Sequence, residues 1–358
     1  MPALAYTRNR ATQRNQASVI FGDFQHYPPD DSERALPDAA SAVRLLESHC
    51  PTVLSRLTAV AERIGSDERG RQAALLATAR LARRHGSLGD DFHAYHNEGH
   101  VLELAERRLL RMLDALAPGA LNAQDLTALM LFAACHDLRQ REPSEPEGPI
   151  GGNESASIAE TLRILACCGF DADADRDMAT ALVMMIAGST FDTQPMSPAA
   201  AHAADLPVQP GGALARGLGL WLDSHSPYWR QDPAAVRGEQ LARLAADLDT
   251  GNVGEEFGQL CDTALRLCRE REMRAGRGLD DPASAEPCLA FLGPGQQHYF
   301  FELHRFSSRE GERAFGAGKR ANAARVRKTT AALLDRFAAQ PPADGQAVLS
   351  VFAELAAS

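Results

Sequence analysis

Three short segments of this 358-residue chain carry histidine and aspartate at spacings that suit metal binding. They are Tyr95-His96-Asn97-Glu98-Gly99-His100, Cys135-His136-Asp137 and Ala246-Asp247-Leu248-Asp249. Imidazole nitrogens and carboxylate oxygens are both good ligands for zinc, manganese, iron and magnesium. The three segments therefore predict a divalent cation site, provided that the fold brings them together.

The second segment ends a strongly apolar helix that is predicted over about residues 123–138. His136 follows Leu129 by seven residues and Asp137 follows Met130 by seven, so both side chains face the same way as the buried stripe. An ionised aspartate on a buried face is costly unless a cation compensates it. The alternative is a buried hydrogen-bonded pair without a metal.

The other two segments offer the remaining ligands. His96 and His100 are four residues apart and share one face of a helix. In the third segment, Asp247 and Asp249 both lie on an amphipathic helix, and helix geometry alone admits either of them. His93, three residues before His96, either joins the site or is a partly exposed loop residue.

Composition predicts helix almost throughout, because alanine, leucine and arginine dominate while β-branched and aromatic residues are sparse. Helical patterning starts near Asp38, breaks at Pro51 and continues to Ile64. Further helices are predicted at about 69–85, 98–116, 123–138, 153–168, 174–187, 233–248 and 255–274. Asp232-Pro233 is typical of a helix start. Residues 142–152 and 189–212 are predicted loops, and no strand pattern is present, so the fold class is all-α.

The chain divides into three predicted parts. Residues 1–37, which carry Pro28, Pro29 and Pro37 and show weak periodicity, are expected to form a flexible N-terminal arm. Residues 38–275 form a helical domain that contains all three histidine and aspartate segments. Residues 276–358 form a C-terminal helical extension that packs on the core. Its first part belongs to a proline-containing stretch, 275–295, that is predicted to be a linker.

Charge and cysteine content limit the class of protein. The net charge of -10 argues against a general nucleic-acid-coating protein. The nine lysines and arginines of residues 305–336 leave a nucleic acid partner possible but not favoured, since a solvated helix face explains them equally simply. The seven cysteines form no CxxC pair, and no apolar run suggests a membrane span or signal peptide. We expect a cytoplasmic protein of unspecified oligomeric state.

The ordered series His100, His136-Asp137 and a later aspartate resembles the HD superfamily of metal-dependent phosphohydrolases. The Tyr95-His96-Asn97-x-x-His100 and Ala246-Asp247-Leu248 forms are similar to the catalytic domain of cyclic nucleotide phosphodiesterases. Asn153-Glu154 and the following Ser155-Ala156 look like an element of compact bacterial HD proteins. The resemblance covers about residues 75–270 and implies an HD-domain helical bundle.

The resemblance implies a role for each matching residue. His100, His136, Asp137 and Asp247 would hold one metal, with Asp249 as the rival of Asp247, and Asp137 would bridge to a second metal. Two divalent ions (Zn, Mn, Fe or Mg) are therefore expected.

Further roles follow from the same resemblance. His96 would protonate the leaving oxygen, a role that suits imidazole because its pKa lies near neutrality. Glu154 would orient a metal-bound water or a ligand histidine.

The function implied is hydrolysis of a phosphoric ester in a small phosphorylated ligand, first of all as a nucleotide or cyclic nucleotide phosphodiesterase that uses a metal-bridging hydroxide. The alternatives are a nucleotide phosphomonoesterase or nucleoside triphosphate hydrolase of the same superfamily, and a non-catalytic nucleotide-binding scaffold.

Arg139, Thr190 and Asp249 are weaker candidates for substrate binding. Arg139 either reaches a phosphate or is a solvated residue at a helix end, and Thr190 either lines the cleft or belongs to a helix-ending loop.

Overall fold

The computed structural model describes residues 24–142, 150–192 and 212–358. Over these ranges the chain is an all-α bundle, which confirms the predicted fold class. Residues 1–23 of the predicted arm, and most of both predicted loops (143–149 and 193–211), lie outside the described ranges.

The α-helices occur in an order close to the predicted one. They are α1 (Asp31–Ala35), α2 (Ala39–His49), α3 (Pro51–Ile64), α4 (Glu68–Arg84), α5 (Glu98–Leu102), α6 (Leu109–Ala115), α7 (Ala123–Cys135), α8 (Gly152–Cys167), α9 (Arg176–Ser189), α10 (Leu218–His225), α11 (Pro233–Asp249), α12 (Phe257–Arg274), α13 (Ala285–Ala290), α14 (Arg309–Ala338) and α15 (Gly345–Ala357).

Shorter helical turns complete the bundle. The 3₁₀ turns are Phe24–His26, Leu214–Arg216, Trp229–Gln231, Thr250–Gly254 and Pro282–Ser284, and the π-helical segments are Glu103–Arg108, Phe291–Gly295 and His298–Leu303.

The sequence predicted no strand, but the structure contains one two-residue antiparallel pair, β1 (Phe191–Asp192) with β2 (Gly212–Ala213). This pair closes the base of the loop predicted at 189–212.

Capping residues start the helices that matter most for the site. Asn97 accepts a hydrogen bond from the Gly99 amide and so starts α5. Asp232 does the same for α11, with Pro233 at the first helical position, which confirms the predicted helix start. These caps fix where the chain turns into each helix, and therefore where the histidine and aspartate segments point.

The expectation of a flexible arm does not hold for its described part. Residues 24–36 form a 3₁₀ turn and α1. Arg84 Nε donates to Asp30 Oδ2 (2.6 Å), and Arg163 Nε donates to Glu33 Oε2 (2.8 Å). Ion pairs with two core helices therefore hold this stretch against the bundle.

The expected linker at 275–295 is likewise helical over much of its length. Pro282 occupies the first position of a 3₁₀ turn, where a missing N–H costs nothing, and Pro294 lies inside a π-helical segment. Pro282 therefore starts a helical turn, whereas Pro294 coincides with a departure from regular α-helix.

Two apolar cores hold the bundle together. The larger is formed mainly by residues between Phe24 and Leu248, and Ala314 and Phe315 of α14 also join it. The smaller contains side chains of α12, α14 and α15, among them Phe257, Leu333 and Phe352. Because α14 enters both cores, the C-terminal helices pack directly on the rest. The domain boundaries themselves stay a prediction.

None of the described helices combines the length and apolarity needed to cross a bilayer.

The contact between α14 and the 3₁₀ turn at Thr250–Gly254 tests this packing. A Cβ at Gly318 would overlap the Gly254 carbonyl, whereas a Cβ at Gly258 would meet nothing within 4 Å. We expect Gly318→Ala to lower the free energy of unfolding by about 1–3 kcal/mol, as overpacking does. Gly258→Ala, the matched control in α12, should be neutral or slightly stabilising. Urea unfolding measures both, and equal effects would contradict the close approach.

Candidate functional site

The ends of three helices bring two histidines and two aspartates together. His100 lies on α5, His136 and Asp137 follow α7, and Asp249 is the last residue of α11. His136 Nε2 is 2.9 Å from Asp137 Oδ2 and 3.6 Å from Asp249 Oδ1. His100 Nε2 is 3.7 Å from Asp137 Oδ2 and 3.5 Å from Asp249 Oδ1. We call these four residues the His–Asp cluster.

The hydrogen bonding of the imidazoles shows what the cluster lacks. His136 Nδ1 lies 3.1 Å from the Phe132 carbonyl oxygen, which can only accept, so Nδ1 carries the hydrogen. In a neutral ring, Nε2 then presents a lone pair to the carboxylates. Within the described residues, Nε2 of both His100 and His136 is buried without a hydrogen-bond partner. Buried polar atoms without partners are costly, so a cation or a proton is required here.

The electrostatics point the same way. Burial alone would lower the pKa of His136, but the charges of Asp137 and Asp249 outweigh it and raise the pKa to about 10. Burial alone would raise the pKa of Asp249, but its interactions with His100 and His136 hold that pKa well below the usual value. The two carboxylates therefore favour a positive charge between the rings. Two nitrogens and two carboxylates form a donor set that fits a divalent cation.

Asp247 is not part of this cluster, and its predicted place at the metal is wrong. Its carboxylate accepts hydrogen bonds from the amides of Ser307 (2.6 Å) and Ser308 (2.8 Å) and from Ser308 Oγ (2.6 Å). Two residues along a helix correspond to a rotation of about 200°, so Asp247 and Asp249 face opposite ways. Asp247 holds the start of α14, and its rival Asp249 faces the histidines.

His96 lies at the edge of the cluster, and its side chain is 21% exposed. Its Nε2 is 3.9 Å from Asp137 Oδ2, and its Nδ1 is 2.5 Å from Glu270 Oε1. Burial alone would lower the pKa of His96, but the charges of Asp137 and Glu270 outweigh it and raise the pKa. His96 is therefore a partly accessible imidazole that tends to keep its proton.

Glu270 was missed by the sequence analysis. Besides the His96 ring, its carboxylate accepts hydrogen bonds from the amides of Tyr95 and His96, both at 3.0 Å. It fixes both the backbone and the ring of His96. Glu270 lies within the run Arg269-Glu270-Arg271-Glu272, which is typical of a solvated helix face, so the pattern carried no signal for it.

Two further polar residues missed by the sequence analysis support the ligand side chains. Gln140 Nε2 donates to Asp137 Oδ1 at 2.8 Å. The fully buried Arg108 donates to the carbonyl oxygens of Leu248 (3.2 Å) and Asp249 (2.5 Å). Gln140 thus orients one carboxylate of the cluster, and Arg108 holds the end of the helix that carries the other.

The remaining predicted residues lie around the cluster without joining it. Glu154, near the start of α8, has a raised pKa, first because of burial and then because of Asp137. The Arg139 guanidinium donates to Glu142 Oε1 at 2.7 Å and is 11% exposed, so it is neither solvated nor directed at the cluster. Thr190 Oγ1 accepts from the Gly151 amide at 3.4 Å. His93 is fully buried, contrary to the alternative of a partly exposed loop residue.

No protein-family model matches the chain, and no curated protein matches its sequence. Among solved structures, the chain is similar to two crystal structures of the phosphodiesterase domain of a rhodopsin phosphodiesterase from the choanoflagellate Salpingoeca rosetta. The first is 16% identical over 91% of this chain and 99% of that chain, with a TM-score of 0.46. The second is 15% identical over 92% and 97%, with a TM-score of 0.45. Similarity of this degree carries no functional inference.

The two aspartates of α11 give a direct test of the geometry. Asp249→Ala should lose the divalent metal that the His–Asp cluster holds, and so bind less metal than the wild type, because it removes a carboxylate from the cluster. Asp247→Ala should retain the metal but lower the free energy of unfolding by about 1–3 kcal/mol, because the half-buried donors of Ser307 and Ser308 lose their acceptor. Elemental analysis and urea unfolding measure the two effects. Loss of metal from the Asp247 variant alone would reverse the assignment.

Proposed function

We propose that this protein is a metal-dependent phosphoric-ester hydrolase that acts on a nucleotide, and that the ester it cleaves is a phosphodiester. The observation that carries the proposal is the convergence of His100, His136, Asp137 and Asp249, with both Nε2 atoms buried and unpartnered within the described residues. The resemblance of Tyr95-His96-Asn97-x-x-His100 to cyclic nucleotide phosphodiesterases supports the choice of a diester.

The His–Asp cluster would hold the first cation, and Asp137 would bridge to a second. When bound, divalent cations lower the pKa of water and neutralise phosphoryl oxygens, which is the chemistry that phosphoric-ester hydrolysis needs. Gln140 Nε2 donates a hydrogen bond to Asp137 Oδ1, whereas Asp137 Oδ2 faces the histidines. The cluster is therefore held in place by neighbouring side chains rather than by the cation alone.

His96 is the proton donor in this proposal. Its Nδ1–H donates to Glu270, so Nε2 is the atom that faces the cluster and carries the transferable proton. When the phosphorus–oxygen bond breaks, this proton passes from Nε2 to the leaving oxygen. Glu270 acts through His96 as a positioning residue, because it fixes the ring orientation and favours the protonated imidazole. In this proposal Glu154 would orient a water beside Asp137; burial, and then the charge of Asp137, raise the pKa of its carboxyl.

The substrate class is tested with purified protein supplied with Mn²⁺, Mg²⁺ or Zn²⁺. We expect turnover of an aryl phosphodiester and of at least one cyclic mononucleotide or cyclic dinucleotide, and none by the Asp249→Asn variant. Turnover of phosphomonoesters or nucleoside triphosphates alone would contradict a diesterase and favour the other hydrolase activities. Nucleotide binding without any turnover would favour a non-catalytic scaffold.

The proton donor is tested by variants that leave the cation ligands intact. His96→Ala should retain metal and lower kcat by about 10²–10⁴-fold, the usual contribution of a general acid. Glu270→Gln should lower kcat and shift the alkaline limb of the kcat profile to lower pH, because the carboxylate that favours the protonated imidazole of His96 is lost.

Glu272→Gln is the matched control, since Glu272 lies on the same helix but binds Arg277. In the His96→Ala background, Glu270→Gln should add little, because residues that act through one another are not additive. Unchanged turnover in His96→Ala would remove His96 from the mechanism.

A further inference from the structure

A second group of potential ligands lies beside the His–Asp cluster, in the loop between α4 and α5. His85 ends α4, and the chain folds back so that the His93 amide donates to the His85 carbonyl oxygen at 2.8 Å. This turn places the two rings against each other, with centroids 4.1 Å apart, and brings Asp91 Oδ2 near one nitrogen of each. We call His85, Asp91 and His93 the loop cluster.

Distances in the loop cluster converge on one carboxylate oxygen. Asp91 Oδ2 is 3.2 Å from His85 Nδ1 and 3.1 Å from His93 Nε2. A tetrahedral zinc site with bonds of about 2.0–2.1 Å has neighbouring ligand atoms about 3.3–3.4 Å apart. Both distances are therefore close to those between ligands of one zinc ion, and all three ligand atoms lie within 4.8 Å of one another.

Hydrogen bonds among the protein groups account for only part of the arrangement: His93 Nε2 lies within hydrogen-bond distance of Asp91 Oδ2 (3.1 Å), but the described residues give the His85 ring no such bond. His85 is almost completely buried, and neither of its ring nitrogens has a hydrogen-bond partner among the described residues. A buried imidazole without partners is costly. The Nδ1 atom, aimed at Asp91 Oδ2, would be satisfied by an ion between the two.

The neighbours of His93 also fit a metal ligand. Its Nδ1 is 3.2 Å from Glu270 Oε1. A histidine that binds a metal through one nitrogen commonly donates from the other to a carboxylate, which fixes the ring. Arg141 donates from Nε to Asp91 Oδ2 (3.0 Å) and from Nη2 to Asp91 Oδ1 (2.5 Å), so an ion at Oδ2 would displace the Nε contact while the Nη2 contact could remain.

We propose that His85 Nδ1, Asp91 Oδ2 and His93 Nε2 form a zinc site separate from the His–Asp cluster. Two imidazoles and one carboxylate are a common zinc donor set. Asp91 is 38% exposed, which leaves a side open for water as the fourth ligand. Because His93 Nδ1 lies beside Glu270, an ion bound to His93 would also restrict the motion of the loop that carries His96.

The experiment counts zinc in the full chain after the His–Asp cluster has been disabled. The Asp137→Asn/Asp249→Asn double variant removes both of its carboxylates without changing side-chain shape. After zinc loading and dialysis, this variant should retain one zinc per chain. Adding Asp91→Asn should remove that zinc, and adding Asp90→Asn should not, because Asp90 is exposed and lies outside the loop cluster.

His85→Asn in the same background is a second variant, with circular dichroism as the check of folding. It too should remove the zinc, and Co²⁺ substituted for zinc should lose its tetrahedral absorption bands. The proposal is overturned if the double variant holds no zinc, or if its zinc survives both Asp91→Asn and His85→Asn. By contrast, equal metal content in the wild type and the double variant would contradict the proposed role of the His–Asp cluster.

Discussion

Two carboxylates and two imidazole nitrogens face one another where α5 meets the C-terminal ends of α7 and α11. Asp137 and Asp249 both point at the Nε2 atoms of His100 and His136, which are buried. In a low-dielectric interior such a group is stable only if a positive charge lies within it. The positions of α5, α7 and α11 bring the four side chains around that charge. The polar residues that contact these helices keep the side chains in place.

Asp247 and Asp249 lie two positions apart on α11 but make different contacts. Asp249 faces the histidines, while Asp247, two positions earlier, accepts three hydrogen bonds from Ser307 and Ser308 and so anchors α14. One helix therefore carries both a proposed metal ligand and the attachment point of the C-terminal helices. Glu270 makes a similar link, because it joins α12 to the backbone and ring of His96.

Sequence reasoning succeeded where the signal was local. Apolar periodicity and caps located α7 and α11 to within a few residues, and the resemblance to HD-type phosphohydrolases grouped His100 with His136 and Asp137. It failed where the deciding partner was distant. The choice between Asp247 and Asp249 depends on serines 60 residues away, and the role of Glu270 depends on His96, 174 residues away. Neither contact produces a periodic pattern in the amino-acid sequence. The prolines at 275–295 led to the prediction of a linker, but Pro282 and Pro294 lie in helical segments.

The most direct measurement is a crystal structure of Mn²⁺-soaked protein with anomalous scattering recorded for manganese. The account predicts an anomalous peak within about 2.0–2.3 Å of His100 Nε2, His136 Nε2 and an oxygen of each of Asp137 and Asp249. A map without a peak among these four side chains, or with manganese bound at Asp247 instead, would contradict it.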